Sequence, residues 1–289
     1  MNTENERVNF NQGKFLVYDS ETMPYKDLNA FAHFALTDAL IANVGKNEQP
    51  ILHFWQTAPL AILGMMDTKI GHFEKALKIF DAYQHDYIVR NSGGLAVVGD
   101  PGVLNVSLIY PSNDQRLSID KGYEFMLEFI RQTFYPYFSD KIDAYEIPTS
   151  YCFGDYDLSI NGQKIAGISQ RRIKNGVAVM LYISVNGNQK KRAQMLKDFY
   201  ELGLDGSERP GRYPNINPDI MTTLTDAYQT DLTVPKVKEM MLEHFNWTKG
   251  QYTKEIDQDF EDALEKMISR NARVFGQEFI EKRIHGRSI

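Results

Sequence analysis

The sequence predicts an α/β (α+β) protein in which mixed sheets are flanked by helices, and three observations carry that prediction. Short runs rich in β-branched and aromatic residues, bounded by Gly, Pro and Asn, recur from residue 14 to about 185. Between them lie stretches whose apolar residues fall at helical spacing. Two Asn-Gly pairs, Asn161-Gly162 and Asn175-Gly176, stand in a strand-rich region. Each favours a two-residue hairpin turn, because both central positions of that turn need positive φ.

The elements follow in order. Residues 14–19 read as a strand, and a helix begins at Asp27 as N-cap, carries Leu28, Phe31, Ala35 and Ala39 on one face, and stops at Gly45. Ile51–Trp55 and Ala61–Leu63 read as strands, Phe73–Tyr83 as a helix, and Tyr87–Val89 as a strand. Leu95–Val98 and Val103–Ile109 are strands separated by a Gly99-Asp100-Pro101-Gly102 turn. A helix over Gly122–Phe134 precedes an antiparallel meander of 156–160, 163–172 and 177–185. Residues 189–203 are helical, 205–219 form a loop, and 233–246 and 254–270 are helical again. The last carries Ile256, Phe260, Ala263, Leu264 and Met267 on one stripe.

A chain of 289 residues lies at the upper end of what one core organises, so one domain over 1–289 is expected. Its core spans about 14–205, and a helical C-terminal cap covers about 206–289. Apolar residues make up 43% and charged residues 24%, values of an ordinary folded protein and not of a disordered one. The net charge of −6 argues against nucleic acid as a partner. The basic clusters Arg171-Arg172 and Lys190-Lys191-Arg192 are short; they read as solvated surface, or as a strip for an acidic protein partner. No run approaches the ~20 apolar residues of a membrane span. Residues 1–11 lack an apolar signal core, and one cysteine cannot form an intrachain disulfide, so a cytoplasmic location is expected.

Three segments attract attention. Arg90-Asn91-Ser92-Gly93-Gly94-Leu95-Ala96-Val97-Val98 places a Gly pair between two strands, where a ligand or another backbone can approach the main chain; a bulged turn is the plainer alternative. Cys152, the only cysteine, sits among Ser150, Tyr151, Gly154 and Asp155. Unpaired cysteines are commonly buried fillers, but such a polar loop is a poor place for one. Lys164 falls on an otherwise apolar strand after the first Asn-Gly turn. It is either an edge lysine that blocks strand pairing or a cation for an acyl carbonyl oxygen. The six histidines (33, 53, 72, 85, 244 and 285) lie outside these segments and lack metal-ligand spacing, so no metal is expected.

In order and interval, these segments resemble the lipoate-protein ligase and octanoyltransferase superfamily, and more closely its amidotransferase branch. The resemblance covers roughly residues 30–205. It includes Ile51–Gly64 with Trp55 and Pro59, the 90–100 loop, Asn105, the segment around Cys152, and Gly162–Arg172 with Lys164 and Gly167. It implies a catalytic module like that of biotin and lipoate ligases. It implies Cys152 as acyl-accepting nucleophile and Lys164 as holder of the acyl carbonyl. Trp55, Asn105, Gly167 and the stretch from Arg90 to Val98 would line the site for the fatty chain.

The implied activity needs no cofactor. An octanoyl chain would pass from a lysine of the octanoylated glycine cleavage system H protein to Cys152, and from there to a lysine of the lipoyl domains of 2-oxo-acid dehydrogenase complexes. A free thiol near pKa 8.5 is only a few per cent thiolate at neutral pH, and nearby positive charge, expected from Lys164, would raise that fraction. The superfamily's ATP-dependent ligases carry a longer Gly run where Leu95 follows the pair here, and have no cysteine at the position of Cys152. Both differences favour transfer over adenylation. Phe153 stands where relatives carry proline. An acyl carrier protein donor, an ATP-dependent ligase, and a non-catalytic lipoyl-domain or fatty-acid binder remain the alternatives.

Overall fold

The computed structural model describes residues 14–24, 30–47, 49–112, 118–206, 213–243 and 245–285. Its centre is an eight-stranded sheet. In spatial order the strands are β11 (Trp247–Lys249), β1 (Phe15–Asp19), β2 (Ile51–Trp55), β6 (Val103–Pro111), β10 (Gly176–Ser184), β9 (Gln163–Ile173), β8 (Leu158–Ile160) and β7 (Ile142–Ala144). The first three run parallel; from β2 onward each neighbour is antiparallel. A smaller sheet sets β3 (Leu60–Leu63) between β4 (Asp86–Val89), parallel to it, and β5 (Val97–Gly99), antiparallel.

Side-chain alternation sorts the large sheet's residues between two apolar layers. From β2, Leu52 and Phe54 enter the layer under α3 (Ile119–Phe134) and α6 (Val234–Glu243). Ile51 faces the opposite layer, where α1 (Phe31–Asn47) packs on α7 (Lys254–Phe275). The small sheet closes a third cluster with α2 (Phe73–Ala82), α4 (Gln189–Leu204) and residues of α7 and α8 (Gln277–His285). The mixed α/β class expected from the sequence is the one observed.

Several boundaries differ, each for a reason that lies in packing. The helix expected to stop at Gly45 runs to Asn47, because Gly45 meets the Asn175 backbone and serves as a contact point. The second hairpin turns at Lys174-Asn175, one residue early, with Lys174 at φ +51°. Gly176 is already in β10, where a Cβ would lie 2.1 Å from the Ile41 carbonyl oxygen of α1. The first hairpin turns at Asn161-Gly162 as expected, with φ of +49° and +81°. Leu95 and Ala96 precede β5 and pair with no strand, and Gly99 belongs to the strand and not to the turn. The helix from Gly122 starts three residues earlier, capped by Ser118. The helical stretch 233–246 ends at Glu243, and the chain returns as the short edge strand β11. Short β7 and α5 (Leu224–Tyr228) were not anticipated. Asp27 and Leu28, and part of the 205–219 loop, lie outside the described residues. Among those described, no helix is long and apolar enough to cross a membrane.

Candidate functional site

Strand register builds the floor of the main cavity. Trp55 pairs with Asn105, Asn105 with Tyr182, and Tyr182 with Gly167, so one row crosses β2, β6, β10 and β9. The next row sets Ser107, Met180 and Ser169 side by side. Because residues two apart on a strand share a face, both rows point into the same space. They floor a cavity of about 310 Å³, at the lower end of ordinary ligand pockets. At Gly167 a Cβ would lie 2.8 Å from the Tyr182 ring, so glycine lets that ring lie across the strand. Phe34, Ile62, Val97 and Phe153 complete an apolar lining.

The Gly-pair loop forms one wall. Asp67 is fully buried; its carboxylate accepts from Gly64 N at 2.7 Å and from the Tyr200 hydroxyl at 2.8 Å. Tyr200 in turn accepts from Ala96 N at 3.2 Å, tying β3, α4 and the loop together. Burial pushes the Asp67 carboxyl up to about 6, against the opposing pull of these hydrogen bonds and of Arg90. Gly64 and Gly94 cross so closely that a Cβ on Gly64 would lie 1.9 Å from the Gly94 oxygen. Gly94 itself has φ +91°, and a Cβ there would lie 2.5 Å from Arg90 Nη2 and 3.1 Å from the Cys152 sulfur.

The Cys152 turn forms the facing wall. Cys152 is a free, half-buried cysteine at φ +45°, in the left-handed region that few side-chain-bearing residues occupy. Its sulfur lies 3.5 Å from Arg90 Nη2, which also donates to the Leu95 carbonyl at 2.9 Å. The turn is held from beneath by Lys164, whose side chain has no exposed surface. Its ammonium donates to the carbonyls of Tyr151 (2.9 Å) and Cys152 (3.2 Å) and to Ser150 Oγ (3.0 Å), and pairs with Asp157 Oδ1 at 2.8 Å. Burial pushes the Asp157 carboxyl up from its ordinary value, and Lys164 opposes that shift.

The structure therefore brings Trp55, Arg90, Ser92, Gly93, Gly94, Val97, Asn105, Cys152 and Gly167 to one cavity. Leu95, Ala96 and Val98 are buried in the apolar cluster behind it. Asn91 turns away, donating to Asp38 at 2.9 Å. Lys164 reaches the back of the Cys152 turn and not the cavity, and the cation facing the sulfur is Arg90. Two roles expected of Lys164, carbonyl holder and cation for the thiol, thus do not match its partners here: four protein oxygens already claim its three protons. Sequence reading missed Ser107, Ser169, Met180 and Tyr182. Their spacing two residues from other lining positions was the available signal, but it gains meaning only once the register is known. His33 stacks on the Trp55 ring at 5.1 Å without lining the cavity. Among the described residues, no cluster of three or more His, Cys, Asp or Glu side chains could hold a metal.

The chain is similar to known proteins over most of its length. The family model for the lipoyl protein ligase A/B catalytic domain matches residues 29–246. The octanoyl-GcvH:protein N-octanoyltransferase of Bacillus velezensis is 39% identical over 269 residues, covering 90% of this chain and 93% of the relative. That of Anoxybacillus flavithermus is 46% identical over 206 residues, covering 70% and 72%. The lipoyl-GcvH:protein N-lipoyltransferase of Listeria monocytogenes is 34% identical over 280 residues, covering 95% and 99%. Among solved structures, lipoate-protein ligase A bound with ATP superposes with a TM-score of 0.68 at 16% identity, covering 91% of this chain and 98% of that one. A bipartite lipoate protein ligase from Thermoplasma acidophilum gives 0.65 at 18%, covering 91% and 96%. At such identities, what is shared is the fold.

Proposed function

Because the chain belongs to the lipoyl protein ligase A/B catalytic-domain family, we propose that it is an N-octanoyltransferase working through a thioester on Cys152. The donor is a lysine of the octanoylated glycine cleavage system H protein. The acceptor is a lysine of the lipoyl domains of 2-oxo-acid dehydrogenase complexes. The names of the Bacillus and Anoxybacillus relatives support the donor. One observation carries the chemistry: a free cysteine, held in a left-handed turn, opens onto an apolar cavity with a guanidinium 3.5 Å from its sulfur.

In this reading the sulfur attacks the amide carbonyl, the C–S bond forms and the C–N bond breaks. Thiol plus amide gives thioester plus amine, so the proton lost by the thiol ends on the departing lysine. The acceptor lysine reverses these bond changes, and neither half-reaction consumes ATP. Arg90 faces the sulfur. The Asn105 amide nitrogen, buried in the cavity wall without a protein hydrogen-bond partner, offers a donor to the acyl oxygen. Lys164 acts as the anchor of the nucleophile turn. Seven carbons beyond the carbonyl, at about 0.8 kcal/mol per buried methylene, provide chain recognition of roughly 5 kcal/mol. A chain two carbons shorter loses about 1.6 kcal/mol, near fifteenfold. A reduced thiol of this kind suits the cytoplasm.

The test is intact mass after incubation with octanoylated H protein. Wild type gains one octanoyl group and Cys152→Ala none; an adduct that persists in Cys152→Ala rules out the nucleophile. A panel of donors separates the neighbouring chemistries: octanoylated and lipoylated H protein, octanoyl-acyl carrier protein, and free octanoate or lipoate with ATP. Transfer that requires ATP and survives loss of Cys152 would make the chain a ligase.

A further inference from the structure

A second depression lies directly behind the wall that carries Asn91. Its volume is about 440 Å³, and its charged lining comprises Arg171, Lys266, Arg270 and Arg273 with the carboxylates Asp38 and Glu265. The two depressions share a wall. On the Gly-pair loop, Arg90 and Ser92 line the acyl cavity while Asn91 between them lines the cleft. On β9, Ser169 and Gln170 line the cavity, and Arg171 lines the cleft. Asp38 is already committed, because Arg171 grips it through Nε and Nη2 and donates its remaining arm to the Asn91 carbonyl at 2.6 Å.

Four cations thus face two carboxylates, one of them committed, in a chain whose net charge is −6. Arg270 bears the excess. Its Nε is buried without a protein hydrogen-bond partner. Burial, and then repulsion from Arg171 and Arg273, push its guanidinium below the ordinary value. Arg273 Nε donates to the Ser269 carbonyl of its own helix. Guanidinium forks match carboxylates in geometry as well as charge.

We propose that this cleft docks a carboxylate-bearing surface of the donor protein that presents the acylated lysine. The inference rests on the proposed transfer between proteins. A lysine that reaches the Cys152 sulfur past the Gly-pair loop lays the surface around it over the shared wall. Carboxylates there meet Arg270 and Arg273 and relieve their mutual repulsion. Long-range attraction to the same cations also orients the encounter, which makes it sensitive to salt.

The experiment measures steady-state transfer from octanoylated H protein by the full chain and by Arg270→Glu, Arg273→Glu and the double variant, at low and high NaCl. The double variant is expected to raise KM about tenfold with kcat within about twofold, and to flatten the salt dependence of wild type. Lys190→Glu reverses a charge in the other basic cluster, where Lys190 pairs with Asp219, and should leave KM as it was. Acylation of Cys152 by p-nitrophenyl octanoate, read by mass, reports the cavity without any protein docking. An unchanged KM in the double variant overturns the proposal. So does an equal rise in Lys190→Glu, or a parallel loss of acylation by the ester. If wild type is acylated by the ester yet transfers nothing from H protein, the proposed function itself falls, and the docked partner with it.

Discussion

Behind one wall of the main cavity, Lys164 spreads three protons over four protein oxygens. On the other, Arg90 keeps Nε without a protein partner, and across the floor the Asn105 amide nitrogen is likewise unpartnered. Each wall carries a buried cation, yet hydrogen bonding is complete around one and incomplete around the other. A buried polar group without a partner is costly, so such groups mark where a ligand completes the network. A nucleophile, by contrast, gains from a backbone that cannot shift. Saturation on one side fixes the turn that carries the sulfur; incompleteness on the other leaves donors open to a ligand.

The strongest way to break this comparison is Lys164→Ala. If the lysine anchors the turn, its loss strands Asp157 as a buried carboxylate and costs about 3–5 kcal/mol, read as a shifted urea midpoint together with lost transfer. Near-wild-type stability with transfer abolished would instead make Lys164 a carbonyl holder.

A second experiment addresses the opposite wall through Asp67. Its folded pKa of about 6 lies above the ordinary 3.8, so the folded state binds this proton more tightly than the unfolded state. The stabilisation this gives is complete below pH ~4 and is lost as pH rises through about 6. Relative to Asp67→Asn, wild type should lose about 3 kcal/mol across that window and then level off. Urea titrations at a series of pH values measure it; a constant difference between the two proteins would contradict a burial cost that outweighs the Gly64 and Tyr200 hydrogen bonds.

Gly94→Ala should keep the fold, because the strain is local, but displace Arg90 from the sulfur. Positive φ and the Arg90 contact together cost about 1–2 kcal/mol; if that cost falls on the reactive arrangement, acylation of Cys152 by octanoylated H protein should slow by about five- to thirtyfold. Gly93→Ala is the small-effect counterpart. A Cβ there meets nothing within 4 Å, and the same rate should stay within about twofold. Equal losses in both would mean that the loop's flexibility, and not its contact with Arg90 and the sulfur, matters.

Much of this was legible in the residues. The runs Ile51–Trp55 and Val103–Ile109 have the β-branched and aromatic character of buried strands and formed them. The polar surroundings of Cys152 marked it as something other than filler, and the Gly pair marked a close approach that Gly94 makes to the sulfur. Other features were not legible, because their cause lies far away in sequence. Gly45 and Gly176 look like punctuation, but each is small because α1 presses against the β9–β10 hairpin. Ser107 and Met180 belong to the site only because β6 and β10 pair in one register.

Local chemistry in the sequence determined the class of fold, the candidate cysteine, and the loops that flank it, since propensity, turn residues and a lone thiol are properties of short segments. Tertiary structure alone decided how the two cations divide their work. Whether a lysine or an arginine faces a sulfur depends on which buried oxygens each meets first. For Lys164 those are Asp157 and the carbonyls of Tyr151 and Cys152, which leaves the thiol to Arg90.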